Sequence, residues 1–177
     1  MGCAELTRLQ RKEFEDLYRA HRELVKGLKL HPDLSGRRAD DACFDFFYRM
    51  GEQYGLPVLL HTKQGPYSSV EYVVNAARKH PKTIFILGHM GLGSDGGEAL
   101  AAVEAYENIY GDTAWVPFPV VEQAERMGIV HKIMFGTDSP ISGDACYADA
   151  CYKDYFSDKG EKRKGVMADN AKRIFDI

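Results

Sequence analysis

The feature that most constrains the fold is a regular alternation of short β-rich runs with helical patterns. Five such runs follow one another at a near-constant interval, over residues 27–31, 57–62, 83–89, 108–113 and 132–138. Two parallel strands need a crossover connection, which is usually a helix, and such connections are right-handed. The pattern therefore predicts an α/β fold with one parallel sheet of about five strands.

The segments between these runs carry the signals with which helices begin and end. Residues 40–54 are followed by Gly55 and Pro57, a typical C-terminal signal. Residues 169–175 predict a closing helix. Two serine or aspartate residues have a glutamate three positions later, which predicts two N-terminal capping boxes: Ser68 with Glu71, and Asp95 with Glu98.

An amphipathic helix is predicted at the start of the chain, over residues 5–26. Its apolar residues recur at helical spacing, so they are expected to form the buried stripe of the helix. The members of this stripe are Leu6, Leu9, Leu17, Leu24 and Val25.

Composition and charge exclude several classes of protein. The chain has 177 residues, which indicates a single domain over 1–177, and its net charge of −3 lacks the basic block that nucleic acid requires. No apolar run approaches the roughly 20 residues that cross a membrane, and no secretory signal is visible. The four cysteines show no disulfide spacing and are expected to be reduced thiols. We therefore expect a cytoplasmic protein that binds neither nucleic acid nor membranes.

The histidines divide by their position relative to the strands. His31, His61 and His89 close predicted strands, and so do Asp112 and Asp138. Ligands of parallel α/β folds bind at the carboxyl ends of strands, because the variable loops begin there. Five adjacent strand ends thus each offer a side chain suited to metal binding or acid–base chemistry. The other histidines are expected away from this edge, on a helix (His21) or before a strand (His80 and His131).

Imidazole and carboxylate groups together favour a divalent-metal site. A catalytic metal needs about three protein ligands and one open position, and His61, His89 and Asp138 can supply that set for Zn²⁺ first, or for Mn²⁺ or Fe²⁺. Asp138 and His89 are also the candidate catalytic residues. Each residue has a structural alternative, which is a hydrogen-bonded role for the histidines and an Asx-turn or helix cap for Asp112 and Asp138.

Three further residues are assigned to the binding of substrate. Lys29 lies two residues before His31, so both side chains share one face of the first strand. We expect Lys29 to bind a substrate carboxylate, with a salt-bridged or snorkelling lysine as the alternative. His31 and Asp112 are expected to line the same binding site for a small molecule.

Six motifs resemble those of one known family in their order along the chain, over nearly its whole length. They are Gly27–Pro32, Pro57–Thr62, Ile86–Gly91, Asn108–Thr113, Phe135–Pro140 and Asn170–Phe175. The family is the amidohydrolase-related (amidohydrolase-2) branch of the metal-dependent amidohydrolases. The resemblance implies a partial (β/α)₈ barrel of the TIM type, with these segments as strands four to eight and the last helix. It also implies that His61 and His89 correspond to the histidines of the fifth and sixth strands and Asp138 to the aspartate of the eighth.

The chain departs from this family in one important respect. The resemblance implies a His-x-His metal-binding pair on a first strand, and this sequence contains no His-x-His. A complete barrel typically takes about 250 residues, so about five of the eight units find room here. The first and last strands are then expected to be open edges. We expect a homo-oligomer, or a partner chain, to cover them.

The resemblance implies hydrolysis of an amide, ester or lactone with one divalent metal. A bound metal lowers the pKa of water toward about 7, and Asp138 or His89 would then move the proton. The alternative within the family is decarboxylation of a small unsaturated or aromatic acid, with His89 acting on the developing carbanion.

Two interpretations from other classes stay open. Residues 91–96 spell G-x-G-x-x-G between a predicted strand and a helix, and Asp112 ends the next strand, as in a dinucleotide-binding turn. Alternatively, the glycines form a flexible loop after His89. A non-catalytic assembly partner is the other interpretation of the whole chain. Cys146 and Cys151 offer a weak second metal site, and simple thiols are the other interpretation.

Overall fold

The fold is that of a computed structural model, which describes residues 8–141, 151–155, 157–158 and 160–177. The side chain of residue 163 is not described. Cys3, Leu6 and Cys146 lie outside these residues, and the suggested second metal site of Cys146 and Cys151 therefore lies outside them in part.

Strands and helices alternate as the sequence predicts. The strands are β1 (Leu28–Leu30), β2 (Val58–Lys63), β3 (Phe85–Leu92), β4 (Ile109–Asp112) and β5 (Ile133–Met134). The helices are α1 (Arg8–Ala20), α2 (Pro32–Ser35), α3 (Asp45–Tyr54), α4 (Val70–Lys79), α5 (Gly97–Ala105), α6 (Phe118–Arg126), α7 (151–155), α8 (Glu161–Lys164) and α9 (Asn170–Phe175). Two 3₁₀ turns (Ala42–Phe44 and Val130–Lys132) and a π turn (Gly165–Asp169) complete the described elements.

All five strands form one parallel sheet in the order β1-β2-β3-β4-β5. Leu28 is opposite Val58, Leu60 is opposite Leu87, and Gly111 is opposite Ile133. Because the sheet is entirely parallel and its strands are sequential neighbours, all carboxyl ends lie at one edge. The prediction of an α/β fold with five parallel strands is confirmed.

The sheet separates two apolar clusters. The larger cluster joins alternate strand residues to the crossover helices, with Val58, Leu60, Phe85, Leu87 and Ile109 fully buried. The smaller cluster lies around Ile86 and Met134, and the closing helix α9 contributes Ile174 and Phe175 to it.

We call the side of the sheet that carries Leu59, Ile86, Tyr110 and Met134 the site face. Lys29, His61 and Asp112 share its strand parity.

The predicted buried stripe of the opening helix is wrong. Leu9, Leu17 and Leu24 are 66%, 60% and 81% exposed, and Val25 is half-buried. The helix instead packs through two aromatic rings: Phe14 contacts Phe46 and Phe47 at centroid distances of 6.1 and 5.4 Å, and Tyr18 contacts Tyr54 at 4.7 Å. The half-buried rings of α3 provide the complementary surface, so the aromatic side of α1 turns inward.

Neither capping box forms. Ser69, one residue later than expected, precedes α4, and it makes no side-chain cap. The residue before α5 is Gly96, and Asp95 Oδ1 accepts a hydrogen bond from the N–H of Gly97 at 2.9 Å. Asp95 therefore forms an Asx turn, and the chain enters α5 through Gly96 in the left-handed region instead of through a capping box.

Two buried polar side chains form hydrogen bonds with backbone carbonyls of neighbouring segments. Lys132 lies only 7% exposed, and its Nζ donates to the carbonyls of Val103 and Tyr106, both at 2.6 Å. These carbonyls lie at the carboxyl end of α5, where a cation is favoured. The hydroxyl of Tyr48 donates to the carbonyl of Ala39 at 2.6 Å.

Within the described ranges, no helix is long and apolar enough to cross a membrane.

Candidate active site

A bulge in β3 shapes the centre of the site. His61 of β2 pairs with Gly88, but Lys63 pairs with Leu92, so β3 has extra residues opposite Thr62. His89, Met90 and Gly91 all have positive φ, at 70°, 46° and 80°. The Thr62 hydroxyl stabilises the bulge by donating to the Gly88 carbonyl at 2.7 Å and accepting from the Gly91 N–H at 2.9 Å. A bulge re-aims the side chain it carries, and here that side chain is His89.

Three imidazoles meet at the ends of β1, β2 and β3. The rings of His31 and His61 stack at 4.0 Å with an interplanar angle of 11°, and the rings of His61 and His89 meet edge-on at 4.9 Å. His31 also caps the short helix α2, since its Nδ1 accepts a hydrogen bond from the Leu34 N–H at 3.3 Å. The sequence thus predicts correctly that these histidines share an edge, and His31 has the structural role as well.

The cluster favours neutral imidazoles. Burial lowers the pKa of His61 from 6.5 to about 4, with further contributions from His31, His89 and Lys29. Burial also lowers the pKa of His31. Neutral imidazole nitrogen is the form that binds metals and accepts protons. Both side chains are therefore in the required form at neutral pH.

His89 is oriented by the loop after β4. Its Nδ1 lies 3.2 Å from the Ala114 carbonyl, and a carbonyl can only accept, so Nδ1 carries the proton. The lone pair is then on Nε2. A histidine fixed at one nitrogen by a carbonyl is the usual arrangement of a metal ligand or of a general base.

Asp112 has the turn role that the sequence offers as its alternative. Its Oδ1 accepts hydrogen bonds from the N–H groups of Ala114 at 3.0 Å and His89 at 3.4 Å. Burial raises the pKa of this carboxyl group, and the two backbone hydrogen bonds act against the rise. Gly136 lies so close that a Cβ there would be 2.8 Å from Asp112 Cγ. Asp112 thus links β3 to the loop after β4 and fixes the backbone of His89.

Asp138 is turned toward the β4 loop. Its Oδ2 accepts a hydrogen bond from the indole N–H of Trp115 at 3.0 Å. Both residues have positive φ, 58° for Asp138 and 63° for Trp115. Strained non-glycine residues cluster at functional sites, and four of the five in the described residues, His89 and Met90 included, lie at this edge.

Lys29 contributes a cation to the site face. It is the exposed residue of β1, between buried Leu28 and Leu30. Partial desolvation nevertheless lowers the pKa of its ammonium group, while the charges of Asp112 and Asp138 act in the opposite direction. Among the described residues, no acceptor forms a hydrogen bond with its Nζ. Its donors can therefore bind an anionic ligand.

Asp33 is a site residue that the sequence analysis missed. Its Oδ2 lies 3.7 Å from His61 Nε2 and 3.8 Å from Lys63 Nζ, and no described group forms a hydrogen bond with this buried oxygen. Distances of this size leave the oxygen electrostatically paired but without a direct donor. The available signal was its place two residues after the strand-end His31, within the first βα loop.

The predicted metal ligands are brought together only in part. His61 and His89 are adjacent, and their nitrogen donors are chemically suited to a divalent metal. Asp138 is engaged by Trp115, and among the described residues no three histidine, cysteine, aspartate or glutamate side chains are arranged to hold an ion. The described residues thus provide a pair of nitrogen donors rather than a complete ligand set.

The glycine-rich segment borders a cavity of about 290 Å³ beside His89. Its lining includes Gly91, Gly93 and Gly96 of this segment and Trp115 and Pro117 of the loop after β4. In a dinucleotide site, the carboxylate after the next strand binds the ribose. The Asp112 carboxylate instead accepts from backbone N–H groups, so this geometry does not favour the dinucleotide interpretation.

Comparison with known proteins gives one family. The model of a family described as Amidohydrolase matches residues 13–177. A search of curated proteins finds no match.

Solved structures share the fold at low sequence identity. A TIM-barrel protein from Bordetella bronchiseptica has a TM-score of 0.74 and 18% identity, with 93% of this chain and 62% of the other covered. The 5-carboxyvanillate decarboxylase from Novosphingobium aromaticivorans, complexed with manganese and 4-hydroxy-3-methoxy-5-nitrobenzoic acid, has a TM-score of 0.69 and 18% identity, with 94% and 61% covered. The 4-oxalomesaconate hydratase from Rhodopseudomonas palustris has a TM-score of 0.63 and 19% identity, with 94% and 60% covered. The chain spans about three fifths of the length of these structures, and the likeness shows the fold.

Proposed function

Because the chain belongs to the amidohydrolase family, we propose that it carries part of the active site of a metal-dependent decarboxylase that acts on a small unsaturated or aromatic carboxylic acid. The observation that carries this proposal is the position of Lys29. Its ammonium group lies on the same face as a cluster of neutral imidazoles and has no hydrogen-bond acceptor among the described residues. A cation beside neutral bases suits a carboxylate substrate. The manganese-bound decarboxylase with the same fold supports the choice of reaction.

Lys29, Asp112 and His89 each have a separate role in the proposed reaction. Lys29 binds the substrate carboxylate, and Asp112 keeps the His89 loop in place through its hydrogen bonds to Ala114 and His89. The bond between the carboxylate carbon and the neighbouring carbon breaks, carbon dioxide leaves, and the electron pair stays on the substrate carbon. His89, whose Nε2 can take up a proton and then deliver it, protonates that carbon.

A divalent metal, manganese or zinc, would use His61 as a nitrogen ligand, while Nε2 of His89 is used for proton transfer. When bound, it would supply positive charge that stabilises negative charge on the substrate. Asp138 would be a further ligand through the carboxylate oxygen that does not accept from Trp115.

Hydrolysis of an ester, amide or lactone is the second candidate. It is favoured by the half-buried carboxylate of Asp138, which can accept a proton from water at the edge of the site. In this reaction Lys29 has no carboxylate to bind, so its substitution affects hydrolysis less than decarboxylation.

The test measures both reactions on the same preparations of the full chain. Wild type, loaded with Mn²⁺ or Zn²⁺, is offered hydroxybenzoates and unsaturated diacids, and carbon dioxide release is followed beside hydrolysis of simple esters, amides and lactones. We expect carbon dioxide release that Lys29→Met and His89→Ala abolish. Lys82→Met and His131→Ala are matched controls, because both residues are exposed and precede strands at the opposite end of the sheet.

The outcomes separate the candidates. Hydrolysis without carbon dioxide release would replace the first candidate by the second. Equal loss of activity in the Lys29 and Lys82 variants would contradict the carboxylate-binding role. Mn²⁺ binding, followed by the electron paramagnetic resonance signal of free Mn²⁺, should weaken in His61→Ala and stay unchanged in His131→Ala.

A further inference from the structure

Trp115 is placed where a structural role alone does not account for it. It is the only tryptophan of the chain, it lies in the loop after β4, and it is 51% exposed. Other aromatic residues of this region pack inward: Phe118 contacts Tyr152 at 4.9 Å and Tyr155 at 5.0 Å. A large exposed ring beside a cluster of histidines is available to a ligand.

The backbone holds this indole in an unfavourable conformation. The N–H of Val116 donates to the carbonyl of Thr113 at 3.0 Å, which closes a turn with Trp115 at its third position. Its φ of 63° is one that glycine adopts easily and a bulky side chain does not. Glycine would satisfy the turn with less strain, so the turn itself does not explain the tryptophan.

The indole forms one wall of the cavity beside His89. The rest of the lining includes His89 and three glycines, Gly91, Gly93 and Gly96, with Leu92 and Ser94 between them. Its volume of about 290 Å³ is close to the lower bound of small-molecule sites, at about 300 Å³. A large aromatic face at so small a cavity suits a flat ligand better than a branched or puckered one.

The same indole fixes a carboxylate of the site. Its N–H donates to Asp138 Oδ2 at 3.0 Å, so the orientation of the ring and the position of Asp138 are coupled. A ligand that contacts the ring therefore acts on a residue of the proposed active site.

We propose that Trp115 is the specificity-determining residue, against whose indole face a flat, unsaturated carboxylic acid stacks with its reacting carbon toward His89. This inference rests on the proposed function and assigns recognition of the planar shape of the substrate to one side chain. Stacking on the indole distinguishes a planar acid from a saturated acid of equal charge and similar size.

The fluorescence of the single tryptophan tests the proposal directly on the wild-type chain. Benzoate is titrated with excitation at the red edge of the indole band, where benzoate does not absorb, and cyclohexanecarboxylate is the non-planar control. We expect a saturable change in emission with benzoate and binding of cyclohexanecarboxylate that is weaker by about tenfold. Equal responses to the two acids, or no saturable response to benzoate, would overturn the proposal.

Two variants test whether the aromatic ring at position 115 recognises the planar shape of the ligand. Trp115→Phe retains a flat ring and Trp115→Leu does not, and both are followed by calorimetric titration because they lack the fluorophore. Benzoate binding should stay within about threefold of wild type in Trp115→Phe and weaken by about tenfold in Trp115→Leu. Tyr67→Leu, which removes another exposed aromatic ring, is the control that should leave binding unchanged. If both Trp115 variants bind benzoate as wild type does, Trp115 does not determine specificity.

The failures of the two proposals are distinguishable. Benzoate stacking without any turnover would leave this inference standing and refute the proposed reaction. Decarboxylation that does not distinguish Trp115→Leu from wild type in KM would support the reaction and overturn the role of Trp115.

Discussion

Substitution of Gly136 by alanine should destabilise the protein by driving the Asp112 carboxylate from its place. A Cβ at position 136 would lie 2.8 Å from Asp112 Cγ, nearer still to Oδ2, and 3.2 Å from Oδ1. Gly136 does not have positive φ, so the effect is steric rather than conformational. The carboxylate cannot retreat without losing its hydrogen bond of 3.0 Å from Ala114 and its longer one of 3.4 Å from His89.

The magnitude follows from two contributions. Overpacking a filled site costs about 1–3 kcal/mol, and leaving a buried N–H group unpaired costs about 1–3 kcal/mol. We therefore expect Gly136→Ala to lower the free energy of unfolding by about 2–6 kcal/mol. Urea denaturation followed by circular dichroism measures this change. The fluorescence of Trp115 reports on the loop after β4, where Ala114 donates its hydrogen bond to Asp112.

Two further variants make the reasoning refutable. Gly165→Ala is the matched control, because the residue is helical and a Cβ there meets nothing closer than 3.7 Å. The free energy of unfolding of this variant should equal or slightly exceed that of wild type. Asp112→Ala removes the group with which the new methyl collides, so the double variant should be less destabilised than the sum of the single variants by about 1–2 kcal/mol. Strict additivity, or a Gly136→Ala variant as stable as Gly165→Ala, would show that the close approach does not constrain position 136.

Three other perturbations have defined outcomes. Lys132→Met should lower the free energy of unfolding by about 2–4 kcal/mol, measured in urea, because two buried carbonyls lose a charged donor; equal stability would contradict this capping role. Tyr48→Phe should cost about 1 kcal/mol through the lost hydrogen bond to Ala39, and a cost below about 0.3 kcal/mol would show that the bond contributes little. In metal-free protein, the unfolded chain takes up the His61 proton near pH 6.5 and the folded chain only near pH 4, so stability should fall by up to about 3 kcal/mol as the pH is lowered through this window. His61→Gln should remove that dependence, and an unchanged pH profile in this variant would assign the effect to other groups.

The strands were predictable because parallel strands covered on both faces read as nearly continuous apolar runs. The runs around Leu60 and Leu87 are bounded by glycine and proline, so their positions were evident, and their common direction placed His31, His61 and His89 at one edge. The same reasoning failed for α1. A helical stripe of leucines shows that one side of a helix is apolar, but the aromatic rings of α3 decided which side was buried.

The details of the site depended on contacts between segments distant in the chain. The bulge that turns His89 forms because Thr62 of the neighbouring strand bonds both ends of it, and no local pattern near His89 encodes that bond. Asp33 was missed for the same reason, because its relevance comes from His61 and Lys63 on β2.

The sequence by itself determined the family, the parallel order of the strands and the set of side chains at their carboxyl ends, because these depend on local periodicity and on the direction of each strand. Only the tertiary structure decided how those side chains are used. Asp112 serves the backbone of His89 and Ala114, and Asp138 is bound by the indole of Trp115, although both aspartates end strands in the same way. The partner of a polar side chain is set by packing across the sheet, and spacing along the chain carries no record of it.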